Sequence, residues 1–112
     1  MTTTITRDEL RGRIDRGDVV VVETLGPMHF DQAHLPGAIN IPHTQVAELT
    51  PALLPDKDRT IVTYCSNTAC GNSQAAAAQL EAMGYTDVRK YAEGKQDWRE
   101  AGLPVEAGAV TG

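Results

Sequence analysis

Four consecutive valines, Val19–Val22, follow the helix-stopping pair Gly17-Asp18. An unbroken β-branched run of that kind reads as a strand buried on both faces. Thr60–Tyr64 has the same character, and Thr2–Ile5, Ala38–Ile41 and Asp87–Tyr91 are further strand candidates. Helical patterns lie between them. Leu10 and Ile14 share one face of a segment that Thr6 opens, with Glu9 completing a capping-box pattern and Gly17 ending it. Val46–Leu54 reads as a short helix interrupted by Pro51, Ser73 opens a strong helix through Gln74–Ala82 that Gly84 stops, and Gln96–Ala101 is a closing helix. Gly26-Pro27 is a break, and the stretch from His29 to Pro42 is irregular, with a turn at Pro36-Gly37. This alternation predicts an α/β fold: a mainly parallel central sheet of about five strands with helices on both faces.

With 112 residues and 41% apolar content, the chain can build one hydrophobic core. No internal repeat or long linker divides it, so a single domain over residues 1–112 is expected, with 107–112 as a frayed tail. Ten basic against fifteen acidic residues give a net charge of −5, the basic residues are scattered, and 4% of residues are aromatic. Neither a phosphate-tracking surface nor a base-stacking platform is supplied, so nucleic acid is not an expected partner. The apolar runs Val19–Val22 and Ala75–Ala78 fall far short of the roughly 18 residues of a membrane span. Met1–Asp15 lacks the apolar stretch of a signal peptide, and the expected compartment is the cytoplasm.

Two cysteines cannot make a disulfide scaffold. Cys65 and Cys70 instead share one stretch of small polar residues, with Cys65 directly after the best strand. In open α/β sheets ligands bind beyond the carboxyl ends of strands, where a following helix offers free N–H groups and the positive end of its dipole. A thiol in that position is biased toward the nucleophilic thiolate. Ser66, Asn67, Ala69, Gly71 and Asn72 let the backbone curl close to the sulfur. The plainer alternative is a small buried residue that happens to end a strand.

Several separated motifs together resemble the rhodanese-like domains: Phe30 to Pro42, containing His34-Leu35-Pro36-Gly37-Ala38; Val62-Thr63-Tyr64-Cys65; Ser73 through Gly84-Tyr85 and Asp87-Val88; and Glu93-Gly94, Asp97-Trp98 and Gly102-Leu103-Pro104-Val105. The resemblance covers nearly the whole chain. It implies a sulfurtransferase or persulfide carrier in which Cys65 takes sulfane sulfur from a small donor or a persulfide-bearing protein and passes it to a thiol acceptor. Ser66, Asn67, Thr68, Ala69, Cys70, Gly71, Asn72 and Ser73 would form the anion-binding loop, their N–H groups stabilising the persulfide. No metal or organic cofactor is implied.

Departures from the family pattern narrow that expectation. The loop is two residues longer than usual, Asn72 stands where an arginine is usual, and Glu23-Thr24-Leu25 occupies an Asp-x-Arg position. Without those guanidinium groups thiosulfate loses charge-assisted partners, so weak thiosulfate turnover is expected. A phosphatase-like or arsenate-reductase-like reading needs a loop arginine that Asn72 does not supply. Lys95, after Gly94, is the candidate rim cation. Cys70 has three readings: a resolving thiol for Cys65, a space-filling loop residue, or a metal ligand, the last disfavoured because His29, His34 and His43 all lie earlier in the chain. A non-turnover binding or thiol-redox-sensing module using Cys65 and Cys70 is the rival function. His34 and Trp98 are expected to be structural.

Overall fold

A computed structural model of the chain describes residues 3–107. Its five strands are β1 (Thr3–Thr4), β2 (Val20–Glu23), β3 (Ile39–Asn40), β4 (Thr60–Tyr64) and β5 (Asp87–Tyr91), and they form one sheet in the order β1-β5-β4-β2-β3. All four pairings among these strands are parallel. The α/β expectation therefore holds, and β4 lies at the centre, with β2 on one side and β5 on the other. Of the expected first strand, Thr2 lies outside the described residues, as do 108–112 of the expected tail.

The strand periodicity of two sorts the core into two layers. Along β4, Val62 and Tyr64 face one layer together with Leu10, Phe30 and Trp98, while Ile61 faces the other with Val46, Ala76, Ala77 and Leu80. Helices α1 (Arg7–Arg16), α2 (Pro27–Gln32) and α5 (Gly94–Glu100) thus cover one face, and α3 (Val46–Leu53) and α4 (Asn72–Ala82) the other. Ala76 and Ala77 are fully buried, so the alanine run brings α4 close onto the sheet.

Local signals explain most element ends. Thr6 Oγ1 accepts the Glu9 N–H at 3.2 Å, and Gly17, at φ 71°, closes α1 by donating to Arg13 and Ile14. Two readings need correction. Gly26-Pro27 does not simply break the chain, because Gly26 is the N-cap of α2 and Pro27 its first residue, a position where the missing N–H costs nothing. Pro51 does not interrupt α3, which runs through it. Val46 and Thr50, four residues apart on one face ahead of that proline, are buried, and packing of that face holds the helix together.

A polar cluster ties the start of β4 to β5. Thr60 Oγ1 and Arg89 Nε donate to the Asp87 carboxylate at 2.7 and 3.1 Å. Burial alone would raise the Asp87 pKa, but these hydrogen bonds and the charges of Arg89 and Arg13 bring it below the ordinary carboxylate value. A depressed carboxyl pKa contributes stability that is present above the unfolded value, about 4, and is lost as the pH falls through the folded value. Asp87→Asn should accordingly lower the melting temperature at neutral pH, with the difference from wild type shrinking below about pH 4. A difference that stays constant over that range would contradict this assignment.

Candidate active site

The end of β4 is fixed from both neighbouring elements. Thr24, just beyond β2, donates both its N–H (3.1 Å) and its hydroxyl (2.9 Å) to the Tyr64 carbonyl. Beyond that point the chain leaves the sheet, and the first residues of α5 take over. The Lys95 N–H donates to the Cys65 carbonyl and the Gln96 N–H to the Ser66 carbonyl, each at 2.8 Å. Gly94 makes this approach possible. Its φ is 73°, and a Cβ there would meet the Cys65 carbonyl oxygen at 2.6 Å and the Asn67 nitrogen at 2.9 Å.

The rest of the loop folds back on itself through Asn67. The Asn67 side-chain oxygen accepts the Ala69 N–H at 3.0 Å, and its carbonyl accepts the Cys70 N–H at 3.2 Å. This turn brings Cys70 to a Cα–Cα distance of 6.2 Å from Cys65, and the two sulfurs form a disulfide. Cys65 is 1% exposed, and its sulfur lies 3.9 Å from the Ser66 hydroxyl. Two of the amides expected to cradle an anion, those of Ala69 and Cys70, are therefore spent inside the loop in this oxidised state. Helix α4 then begins one residue earlier than expected: Gly71 is its N-cap and Asn72 its first residue. Ser73 is buried in the first turn, where its carbonyl accepts the Thr63 hydroxyl at 3.0 Å and docks α4 onto β4.

Under the loop lies a buried ionic cluster. Glu23, the last residue of β2, is fully buried, and its side chain points to the same face as Tyr64. The Tyr64 hydroxyl donates to Glu23 at 2.7 Å and accepts the Leu35 N–H at 3.1 Å. Burial, and then the Glu23 charge, push the phenol far above its ordinary pKa, so it remains a donor. Lys95 completes the cluster. Its ammonium lies 3.0 Å from one Glu23 oxygen and also donates to the carbonyls of His29 and Ala33. An ammonium has three donors. With all of them directed inward, Lys95 is not a rim cation in this structure, although its side chain does line the cleft above.

That cleft has a volume of about 370 Å³, and its walls include Leu25, His29, Ser66, Asn67, Gln96 and Arg99. Thr68 sits in a neighbouring depression with Glu93 and Asp97. Arg99 is an exposed cation that reading the sequence missed. Its signal was present, since it lies four residues after Lys95 and so shares a helix face with it. Glu100, also in the wall, offsets part of its charge. The residues expected to be structural are so placed. His34 stacks on Phe30 at 3.8 Å with Nδ1 2.8 Å from the Phe30 carbonyl, and Trp98 donates to the Pro104 carbonyl and meets Tyr91 edge-on.

A model of the rhodanese-like domain matches residues 6–101, and the chain belongs to that family. It is 37% identical over 108 residues to the HTH-type transcriptional regulator Rv0324 of Mycobacterium tuberculosis, which covers 96% of this chain and 46% of that protein. Over 62 residues it is 42% identical to the thiosulfate sulfurtransferase PspE of Escherichia coli, covering 55% of this chain and 58% of that one. The chain thus spans about half the length of these relatives. Among solved structures, the BH2092 protein of Bacillus halodurans superposes with a TM-score of 0.87 at 29% identity, over 95% of this chain and 77% of that one.

The Lys95–Glu23 pair generates a stability prediction. Lys95→Met leaves a buried carboxylate without its counter-ion and should cost about 3–5 kcal/mol in urea unfolding. The double variant Lys95→Met/Glu23→Leu should recover most of that loss, because neither charge is then left unpaired. A single-variant cost under about 1 kcal/mol would show that the pair is screened rather than buried.

Proposed function

We propose that the chain is a sulfurtransferase or persulfide carrier with Cys65 as the sulfur acceptor. The observation that supports this most is the position of Cys65 at the carboxyl end of the central strand, with its carbonyl held by α5 and its loop leading into α4. In the reduced chain the Cys65 thiolate attacks the outer sulfur of a donor, displaces the donor's leaving group and becomes a persulfide. A thiol acceptor then removes the outer sulfur and restores the thiolate. Backbone N–H groups of residues 66–72 hold the anionic persulfide as preorganised dipoles. The sulfurtransferase among the relatives supports the reaction class.

The donor follows from the charges. Asn72 stands at the end of the loop and Leu25 in the cleft wall, where the family pattern has arginines, and Lys95 is committed to Glu23. A hydrogen bond to a charged group contributes about 1.5–3 kcal/mol, so each missing guanidinium lowers the affinity for a small dianion by about tenfold or more. Persulfides of low-molecular-weight thiols or of proteins are the favoured donors. The cleft is at the small end of ligand-sized pockets, which suits a low-molecular-weight thiol.

A second reading, an oxidant-sensing module without turnover, is supported by the Cys65–Cys70 disulfide and by the regulator among the relatives. Steady-state sulfur transfer to a dithiol acceptor separates the two. The reduced chain should turn over glutathione persulfide with a kcat/KM at least about tenfold above that for thiosulfate, and Cys65→Ser should lose activity by at least about a thousandfold. Absence of turnover with either donor favours the sensor. Leu25→Arg should raise kcat/KM for thiosulfate by about tenfold by restoring a guanidinium to the cleft wall. An unchanged value would contradict the electrostatic account of donor choice.

A further inference from the structure

The loop holds a second nucleophile where the first one discharges. Its root is immobilised by the Lys95 and Gln96 amides on the Cys65 and Ser66 carbonyls, while the turn at Asn67 carries Cys70 back over Cys65. The 6.2 Å Cα separation of the closed pair lies within the ordinary disulfide range, so the five-residue spacing accommodates the bond at the end of β4. With the ring closed, Cys65 is buried and the amides of Ala69 and Cys70 are bonded to Asn67. In that state no donor can load the site.

We propose that Cys70 is the internal acceptor of the reaction, which makes the chain a sulfide-releasing persulfide reductase as well as a carrier; this rests on the persulfide reading of Cys65. The Cys70 sulfur attacks the inner, carbon-bound sulfur of the Cys65 persulfide. A bond forms between the two cysteine sulfurs, and the bond to the outer sulfur breaks. The outer sulfur leaves with the electron pair and takes the Cys70 proton, departing as hydrosulfide. The sulfane sulfur gains two electrons, and the two cysteine sulfurs together lose two. The product is the Cys65–Cys70 disulfide found in the structure.

A dithiol reductant resets the site by exchange, becoming a disulfide itself and returning both cysteines to thiols. Each cycle consumes one persulfide sulfur and one dithiol and releases one hydrosulfide. The proximity of the two thiols drives the step: as neighbours on one loop they react as an intramolecular pair, whereas an external thiol must first be bound.

The test is a single turnover under anaerobic conditions. The fully reduced chain is mixed with one equivalent of glutathione persulfide, and released hydrosulfide and intact mass are followed together. Wild type should release one hydrosulfide per chain and end lighter than the reduced chain by two hydrogens. Cys70→Ser should hold an added sulfur atom and release hydrosulfide at least about tenfold more slowly, although it meets the same glutathione. If Cys70→Ser loads sulfur but wild type retains its persulfide, or both release hydrosulfide at one rate, the role of Cys70 is overturned while that of Cys65 stands. If neither chain takes up sulfur, the persulfide reading itself fails, and this inference with it.

Discussion

The buried pair of Glu23 and Lys95 organises the end of the molecule where the chemistry would occur. Glu23 ends β2, Lys95 lies in the first turn of α5, and the same cluster takes in the Tyr64 hydroxyl from β4 and two carbonyls at the end of α2. A carboxylate without solvent exposure is tolerable only with such partners. Once Lys95 is seated, its backbone N–H lies against the Cys65 carbonyl, and the next amide against Ser66. The side chain and the backbone of one residue thus fasten the underside of the loop and its root together.

That arrangement has an electrostatic consequence. A cation that could have faced the cleft is neutralised inside, and Arg99, with Glu100 beside it, is left on the wall. The proposed preference for persulfide donors over a small dianion rests on this placement of charge. Neutral dipoles remain, and two of them, the Ala69 and Cys70 amides, are bonded to Asn67. In this disulfide form both cysteine sulfurs are bonded to each other, while those amides are bonded to Asn67.

Elements governed by neighbouring residues were legible in the sequence. Thr60–Tyr64 and Asp87–Tyr91 are strands over the ranges their β-rich patterns predict, and Thr6, Glu9 and Gly17 bound α1 through contacts a few residues apart. The place of Cys65 was legible because a strand end followed by small residues and a helix is a local pattern, whereas its role as a sulfur acceptor is what the resemblance implied. What escaped depends on distant partners or on signals with two meanings. Gly-Pro marks a break as well as a helix start, and α2 was missed on that account. Lys95 looked like a rim cation because Glu23, its partner, is 72 residues away in sequence. His29 and Arg99 reach one cleft from separate helices, a convergence that only the fold creates.

A crystal structure of the reduced Cys70→Ser chain after treatment with glutathione persulfide would examine the whole account at once. It should show one additional sulfur bonded to Cys65 Sγ, loop N–H groups within hydrogen-bond distance of it, and Lys95 still on Glu23. Sulfur on another residue, an unmodified Cys65, or a Lys95 ammonium swung out onto the persulfide would contradict it.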